Sequence, residues 1–331
     1  MTVNVALHHA AHARIAQRLA ALKLPLRLLL LQEDGRYTAD GAPVRLADAP
    51  PEAAWLSLDH GRTGQFNQAI DDLLAPGATR WLQTFNAGLD DPRYREIARA
   101  GIRISASSAQ AVAISEYTFA HVLNLYQPIE AQRQLQAKRE WKRLPFRELS
   151  RSTWLLVGFG NIGQELAKRA KAFGARVLAV RRRPAASELA DEVAGIDALP
   201  RFLAQADIVV LAAPHTRESE RMAGTGFFAA LKPGAILVNI ARGGLVDDKA
   251  LLAALDAGRV STAILDVFEP EPLPAASPYW SHPRVRLTAH SSFAGEGTMH
   301  RGDELFLANL PRYIAGRPLL NEVDTGYLKD G

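Results

Sequence analysis

No cysteine occurs anywhere in the 331 residues. Disulfides, thiolate nucleophiles and sulfur-ligated metals are therefore excluded, and the chain fits the reducing cytoplasm. Long apolar runs are also missing. Leu26–Leu31 is the densest leucine run, far short of the roughly 20 residues a membrane span needs. Acidic residues are absent before Glu33, while Arg14, Arg18, Lys23 and Arg27 are spread among leucines, a pattern that transit peptides share. Periodicity favours a different reading. Residues 3–7 read as a strand, 13–22 as a helix and Leu26–Leu31 as a second strand, the opening of a βαβ domain. No basic block alternates with aromatic residues, and 39 basic residues nearly balance 35 acidic ones at a net charge of +4. Nucleic acid is thus not an expected partner. No His, Asp and Glu cluster has metal-ligand spacing, so no metal is expected.

What the chain does contain is concentrated around residue 158. The run Thr153-Trp154-Leu155-Leu156-Val157 feeds directly into Gly158-Phe159-Gly160-Asn161-Ile162-Gly163, and a helix-patterned stretch follows with Ile162, Leu166, Ala170 and Phe173 on one face. A strand, a Gly-x-Gly-x-x-Gly turn and a helix in that order form a dinucleotide fingerprint. Gly158 permits the tight turn, Gly160 lets a pyrophosphate approach the backbone, and Gly163 lets helix pack on strand. The phosphates would sit on the N–H groups of the helix start, at Asn161 and Ile162. The next strand ends at Val180, where an NAD-binding chain places an acid for the ribose hydroxyls; here Arg181, Arg182 and Arg183 follow. Arginines attract a 2′-phosphate that an acid would repel, so NADP(H) is the favoured cofactor, with NAD(H) the alternative.

Two α/β units are expected. From residue 153 to 288, six candidate strands end near Val157, Val180, Ala212, Ile240, Val267 and Thr288. Helical runs lie between them, one starting at Asp247 as N-cap and stopping at Gly258, another covering residues 227–231. Parallel strands with crossover helices make a doubly wound sheet. Residues 1–108 form a second unit with strands over 53–58, 79–84 and 101–104. Residues 116–138 read as a long joining helix bent at Pro128. The last helix, 303–315, carries Phe306, Leu310 and Tyr313 on one face and is expected to fold back on the first unit. The expected fold is α/β with two Rossmann-like or flavodoxin-like domains: 1–108 plus 299–331 for substrate, 109–298 for the dinucleotide.

Ligands of open α/β sheets bind at the carboxyl ends of the strands, and three ionisable residues stand there. Arg242 follows the fourth strand, Glu271 (with Glu269 beside it) the fifth, and His290 the sixth. In that order the motifs resemble the D-isomer-specific 2-hydroxyacid dehydrogenase family, which includes glyoxylate and hydroxypyruvate reductases. The resemblance covers residues 80–316. It rests on the glycine fingerprint, Asn86-Ala87-Gly88-Leu89-Asp90, Ser115-Glu116-Tyr117, Ala213-Pro214-His215-Thr216, Asn239-Ile240-Ala241-Arg242-Gly243-Gly244, Asp266-Val267-Phe268-Glu269-Pro270-Glu271-Pro272 and His290.

The resemblance implies an enzyme that reduces small 2-oxo acids to D-2-hydroxy acids by hydride transfer from NAD(P)H. Arg242 would hold the substrate carboxylate and polarise the ketone. His290 would donate the proton as an imidazolium, oriented and favoured in that form by Glu271. Family register, five residues past Asp266, selects Glu271 over Glu269. Asp266 would face the nicotinamide carboxamide, Pro214, Thr216 and Ala241 would line the cofactor with Arg242 and His290, and backbone N–H groups at Ala87 and Gly88 would take the other end of the substrate carboxylate. Related reductases carry a helical arm that crosses to a partner subunit, which implies a homodimer with Trp141 at its seam. Where many relatives have glycine or alanine two residues after the histidine, this chain reads Ser291-Ser292-Phe293; the serines could hydrogen-bond substrate or cofactor and Phe293 narrow the pocket. The alternatives are a phosphoglycerate dehydrogenase-like enzyme and a non-enzymatic, nucleotide-sensing co-repressor-like protein.

Overall fold

The computed structural model describes residues 2–329; residues 1, 330 and 331, assigned above to the substrate unit, lie outside them. The chain divides into two compact units, Met1–Gln110 with Glu296–Gly331, and Ala111–Gly295. No described helix is long and apolar enough to cross a membrane.

In the first unit, strands β1 (Val3–His8), β2 (Leu26–Leu31), β3 (Tyr37–Ala39), β4 (Ala42–Val44), β5 (Ala53–Leu56), β6 (Trp81–Thr84) and β7 (Arg103–Ser105) form one sheet in the order β4-β3-β2-β1-β5-β6-β7. The five strands from β2 to β7 are parallel, and β3 and β4 add an antiparallel edge. That edge was not expected. Its strands are three residues long, too short for a periodic pattern, and Pro43 sits in β4, the outermost strand, where a missing N–H costs least. The expected strand over 53–58 stops at Leu56 because Leu58 opens a short helix. The helices His9–Ala21 and Gly297–Ile314 cover one face of the sheet, while Phe66–Leu74 and Pro92–Arg99 cover the other. The helix expected over 303–315 begins six residues earlier and belongs to this unit; it is not the last, since a short helix, Gly326–Lys329, follows it. Phe306 stacks on Trp55 with ring centroids 4.5 Å apart, and Tyr313 stacks on Trp81 at 5.1 Å.

The second unit contains β8 (Thr153–Val157), β9 (Arg176–Val180), β10 (Glu192–Ala194), β11 (Ile208–Leu211), β12 (Ala235–Asn239), β13 (Val260–Leu265) and β14 (Val285–Leu287), all parallel, in the order β10-β9-β8-β11-β12-β13-β14. Strands β11 and β12 are buried along their whole length, as expected of strands covered on both faces. Seven strands replace the expected six; β10 was missed because it is a half-buried, three-residue edge. Asp247 caps the helix Asp248–Asp256 by accepting from the Ala250 N–H at 3.1 Å, and Gly258 stops it at φ +71°. The expected joining helix is two helices, Ala111–Tyr126 and Ile129–Lys138. Pro128 disrupts the chain rather than bending it, because proline lacks the N–H a continuous helix needs at that position.

One feature of the first unit ties its stability to pH. His8 ends β1 and caps the next helix, its Nδ1 accepting from the Ala10 N–H at 3.2 Å while Nε2 faces Gln65 Oε1 at 3.1 Å. His60 lies edge-on to it at 5.2 Å and accepts the Ser57 N–H at 3.2 Å. Both rings are buried. Burial, reinforced by His8, pushes His60 down to about 4 against the opposing field of Asp59, and burial lowers His8 as well. The folded state thus holds His60 neutral where an unfolded chain takes up a proton. The stability this confers is complete above pH ~6.5 and is lost as pH falls toward about 4, by up to about 3 kcal/mol. Unfolding by denaturant between pH 7 and 4 should show that decline, and His60→Asn should flatten it; an equally steep decline in the variant rules the imidazole out.

Candidate active site

The three fingerprint glycines meet different surroundings. Gly158 follows β8 at φ +106°, and a β-carbon there would come within 2.5 Å of the main chain at Ala212 and Ala213, just past β11. Gly163 lies in the first turn of the helix Asn161–Ala172, where a β-carbon would collide with the Gly158 carbonyl. These two are glycine because protein backbone lies against them. Gly160, the N-cap of the same helix, has nothing within 4 Å of the place a β-carbon would occupy. The protein therefore leaves room above the helix start, which Asn161 and Ile162 open. The site lies where the strand order reverses, between β8 and β11.

The loops after β9 and β11 flank this turn. Arg181 follows β9 directly, and its N–H is tied to the Ala194 carbonyl of β10 at 3.0 Å; Arg182 and Arg183 are exposed. After β11, Ser219 Oγ bridges the Pro214 carbonyl and the Thr216 N–H, each at 2.8 Å. The Thr216 hydroxyl donates to Glu218 at 2.8 Å, which holds that carboxyl below its usual range, with Arg182 and Arg217 adding to the effect.

At the carboxyl ends of β12, β13 and β14 the main-chain ladder continues past the strands. Asp266 N–H donates to the Asn239 carbonyl at 3.0 Å, and His290 N–H donates to the Asp266 carbonyl at 2.7 Å. Asn239 is 1 % exposed, and its side chain braces the turn after β12: Oδ1 accepts the Ala241 N–H at 3.1 Å and Nδ2 donates to the Arg242 carbonyl at 2.8 Å. Arg242 also donates from Nη1 to the Ala241 carbonyl at 2.6 Å. Gly243 lets this turn lean on the next, since a β-carbon there would strike the main chain of Phe268 and Glu269.

The turn after β13 carries Glu271. Its Oε1 accepts the Phe268 N–H at 2.9 Å, and its Oε2 lies 2.8 Å from His290 Nδ1. Glu271, not Glu269, therefore faces the histidine; Glu269 points toward Gly244. A carboxylate can only accept, so Nδ1 carries the proton of that bond and Nε2 is left to meet a ligand. The pair stays reachable, with side chains 39 % and 36 % exposed. Phe293 sets its ring edge-on to His290 at 6.0 Å. His290 adopts φ +48°, a left-handed conformation costing a residue with a β-carbon on the order of 1 kcal/mol.

Asp266 directly follows β13. It is 0 % exposed, and the protein itself surrounds its carboxylate: Oδ1 accepts from the Thr288 hydroxyl and, at 2.8 Å, from the Ser291 N–H, while Oδ2 accepts the Ser292 N–H at 3.0 Å. This carboxylate holds the segment that carries His290. The serines meet Asp266 through their main chain, and Ser292 is buried. Sequence reasoning missed Asn239 and Thr288. Their one signal is a polar side chain ending an otherwise apolar strand, which does not by itself distinguish a brace from a ligand contact.

Arg242, Glu271 and His290 all belong to the second unit. Ala87 and Gly88 belong to the first, in the loop after β6, where Asn86 is fixed by its Nδ2 bond to the Tyr94 hydroxyl at 2.8 Å and Ala87 is exposed. Among the described residues no group of three or more His, Cys, Asp or Glu is placed to hold a metal ion.

Residues 119–292 match the family model described as D-isomer specific 2-hydroxyacid dehydrogenase, NAD binding domain. The chain is 34 % identical over 177 residues to glyoxylate/hydroxypyruvate reductase A of Serratia proteamaculans, a match covering 54 % of this chain and 56 % of that protein. It is 30 % identical over 327 residues to the glyoxylate reductase/hydroxypyruvate reductase of Homo sapiens, covering 90 % and 99 %. Among solved structures, the D-isomer specific 2-hydroxyacid dehydrogenase of Xanthobacter autotrophicus Py2, in complex with NADPH and MES, superposes with a TM-score of 0.73 at 26 % identity, covering 97 % of this chain and 98 % of that one.

The glycines separate folding from binding. Gly160→Ala should lower the melting temperature by no more than about 2 °C, because the site is open and φ is −84° and only the weaker N-cap is lost, yet weaken dinucleotide binding about tenfold or more in a fluorescence titration. Gly158→Ala should destabilise the fold by on the order of 3 kcal/mol. Equal losses of stability in the two variants would contradict the division.

Proposed function

The chain belongs to the D-isomer specific 2-hydroxyacid dehydrogenase family, and from that premise we propose that it reduces small 2-oxo acids of the glyoxylate and hydroxypyruvate type to D-2-hydroxy acids, using NADPH in preference to NADH. The observation that carries the reading is the 2.8 Å contact between His290 Nδ1 and Glu271, on turns that pack beside Arg242. The relatives named as glyoxylate/hydroxypyruvate reductases support the substrate class.

The residues around the fingerprint fit a dinucleotide: an open place above Gly160, a helix start beyond it, and Arg181 and Arg182 where the ribose of the adenosine half would lie. When bound, the reduced nicotinamide supplies hydride to the substrate's carbonyl carbon. The chain's own side chains do the rest. The Arg242 guanidinium grips the carboxylate and, through a second donor, polarises the adjacent ketone. Negative charge grows on the ketone oxygen as the carbon is reduced, and His290 hands it the Nε2 proton. Glu271 keeps the ring in that orientation and opposes the positive charge of the imidazolium. Asn239 keeps Arg242 in register by fixing the main chain on either side of it.

A homodimer in the cytoplasm is part of the same reading. The helix Ile129–Lys138 has no buried residue, and beyond it Trp141 is fully exposed and Phe146 is 55 % exposed. Ten residues make a marginal helix in water without a surface to pack on, and exposed large aromatics of this kind mark an interface. A second copy of this chain is the proposed cover.

Three outcomes are expected. His290→Ala should lower kcat about a thousand-fold while NADPH still binds; retained turnover would remove His290 from the acid role. Arg181→Asp should weaken NADPH about tenfold or more and leave NADH nearly unchanged, and a parent enzyme that uses both cofactors equally contradicts the preference. Light scattering should give twice the 36.0 kDa chain mass, falling toward one chain when Trp141 and Phe146 are both replaced by glutamate; a monomeric parent excludes the dimer.

A further inference from the structure

The buried carboxylate that holds the His290 segment is itself held through a further hydroxyl. Tyr117, on the helix Ala111–Tyr126, brings its hydroxyl to 2.8 Å from Thr288 Oγ1, and Thr288 Oγ1 bonds Asp266 Oδ1. Thr288 also continues the ladder, its N–H donating to the Leu265 carbonyl at 3.0 Å. The direction of this chain follows from its members. Asp266 as a carboxylate accepts only, so the single hydroxyl hydrogen of Thr288 goes to it. The Thr288 oxygen then has only lone pairs to offer, and Tyr117 must be the donor. Burial, the largest influence, pushes the Tyr117 hydroxyl up to about 12, so it keeps its hydrogen across the working range. The tyrosine ring is set against His121, centroids 4.4 Å apart, and packs at the margin of the core that lies between this helix and the sheet.

We propose that Tyr117 is a positioning residue for the reaction, acting through Thr288 and Asp266 to keep His290 in its left-handed conformation. The conformation has no glycine to ease it and persists because the neighbouring main chain is over-determined. Three of its N–H groups, at His290, Ser291 and Ser292, end on Asp266, and the Tyr117–Thr288 pair fixes which way that carboxylate turns. A phenylalanine at 117 would pack in the same place, so only the last link of the chain distinguishes tyrosine.

This inference rests on His290 being the acid, and the experiment keeps the two apart. Steady-state rates with glyoxylate and NADPH, NADPH dissociation constants and melting temperatures are measured for the parent and for Tyr117→Phe, Thr288→Val, Thr288→Ser, the Tyr117→Phe/Thr288→Val pair and His290→Ala. Tyr117→Phe should lower kcat about fivefold, the loss of one hydrogen bond expressed in the rate, with KM and NADPH affinity within about twofold of the parent. Its melting temperature should stay within about 2 °C. Thr288→Ser, which keeps the hydroxyl, should turn over like the parent. The pair should be no slower than Thr288→Val alone, because Tyr117 acts through Thr288. Unchanged kcat in Tyr117→Phe, multiplied losses in the pair, or a fall in kcat matched by a fall in melting temperature would each overturn the positioning role. An inactive His290→Ala beside a fully active Tyr117→Phe defeats this inference alone, whereas an active His290→Ala defeats the acid assignment and the inference with it.

Discussion

Asp266 places a carboxylate where no solvent reaches it. Removing such a group from water costs several kcal/mol unless hydrogen bonds replace the lost hydration. Here they do, and the donors are not scattered. The main chain of Ser291 and Ser292 and the hydroxyl of Thr288 all belong to the segment leaving β14, while the N–H and carbonyl of Asp266 link the end of β12 to His290. The carboxylate and backbone of one residue thus bind the ends of three adjacent strands together. Removing the acid would leave buried donors unsatisfied at the point where the histidine must be held, so a loss there would reach both fold and site.

Arg242 depends on a similar device at smaller scale. Asn239 ends β12 as a buried amide and uses both ends of that amide on the turn it precedes. Gly243 then removes the side chain that would separate this turn from the next. Arginine, glutamate and histidine come from three strands, yet each reaches its place through main-chain geometry set by a buried polar group or a missing β-carbon. The fingerprint turn works by the same economy. Gly158 and Gly163 are glycine because backbone occupies the space beside them, and Gly160 is glycine where that space is open to a ligand.

The sequence made the buried, repetitive parts of this design readable. Strands β8, β11 and β12 announce themselves as largely apolar runs, with glycine after β8 and before β12, and Asp247 and Gly258 mark the start and the stop of a helix. Edge strands carry no such signal: β3, β4 and β10 are three residues each and only partly covered, so their pairing is decided by neighbours rather than by their own pattern. Pro128 was readable as an interruption, but whether a helix bends or ends there depends on what packs against it, and nothing in the second unit buries the helix that follows. At the site, strand-end position singled out Arg242, Glu271 and His290, whereas choosing Glu271 over Glu269 needed the family register. The roles of Asn239, Thr288 and Tyr117 were not readable at all, because a hydroxyl or amide at a strand end has many possible partners and only the tertiary fold selects one.

Exposure explains why His290 needs two kinds of support. His290 and Glu271 must remain accessible, and their side chains are each more than a third exposed. A hydrogen-bonded pair in that setting is exposed to competing water and contributes about 1 kcal/mol or less, comparable to the cost of the left-handed backbone at His290. The pair by itself therefore cannot both hold the ring and impose the conformation. The surplus has to come from where screening is weak, which is the sequestered carboxylate of Asp266 and the hydroxyls behind it. The site divides its work accordingly: the exposed carboxylate addresses the proton on the ring, and the buried one addresses the backbone from which the ring projects.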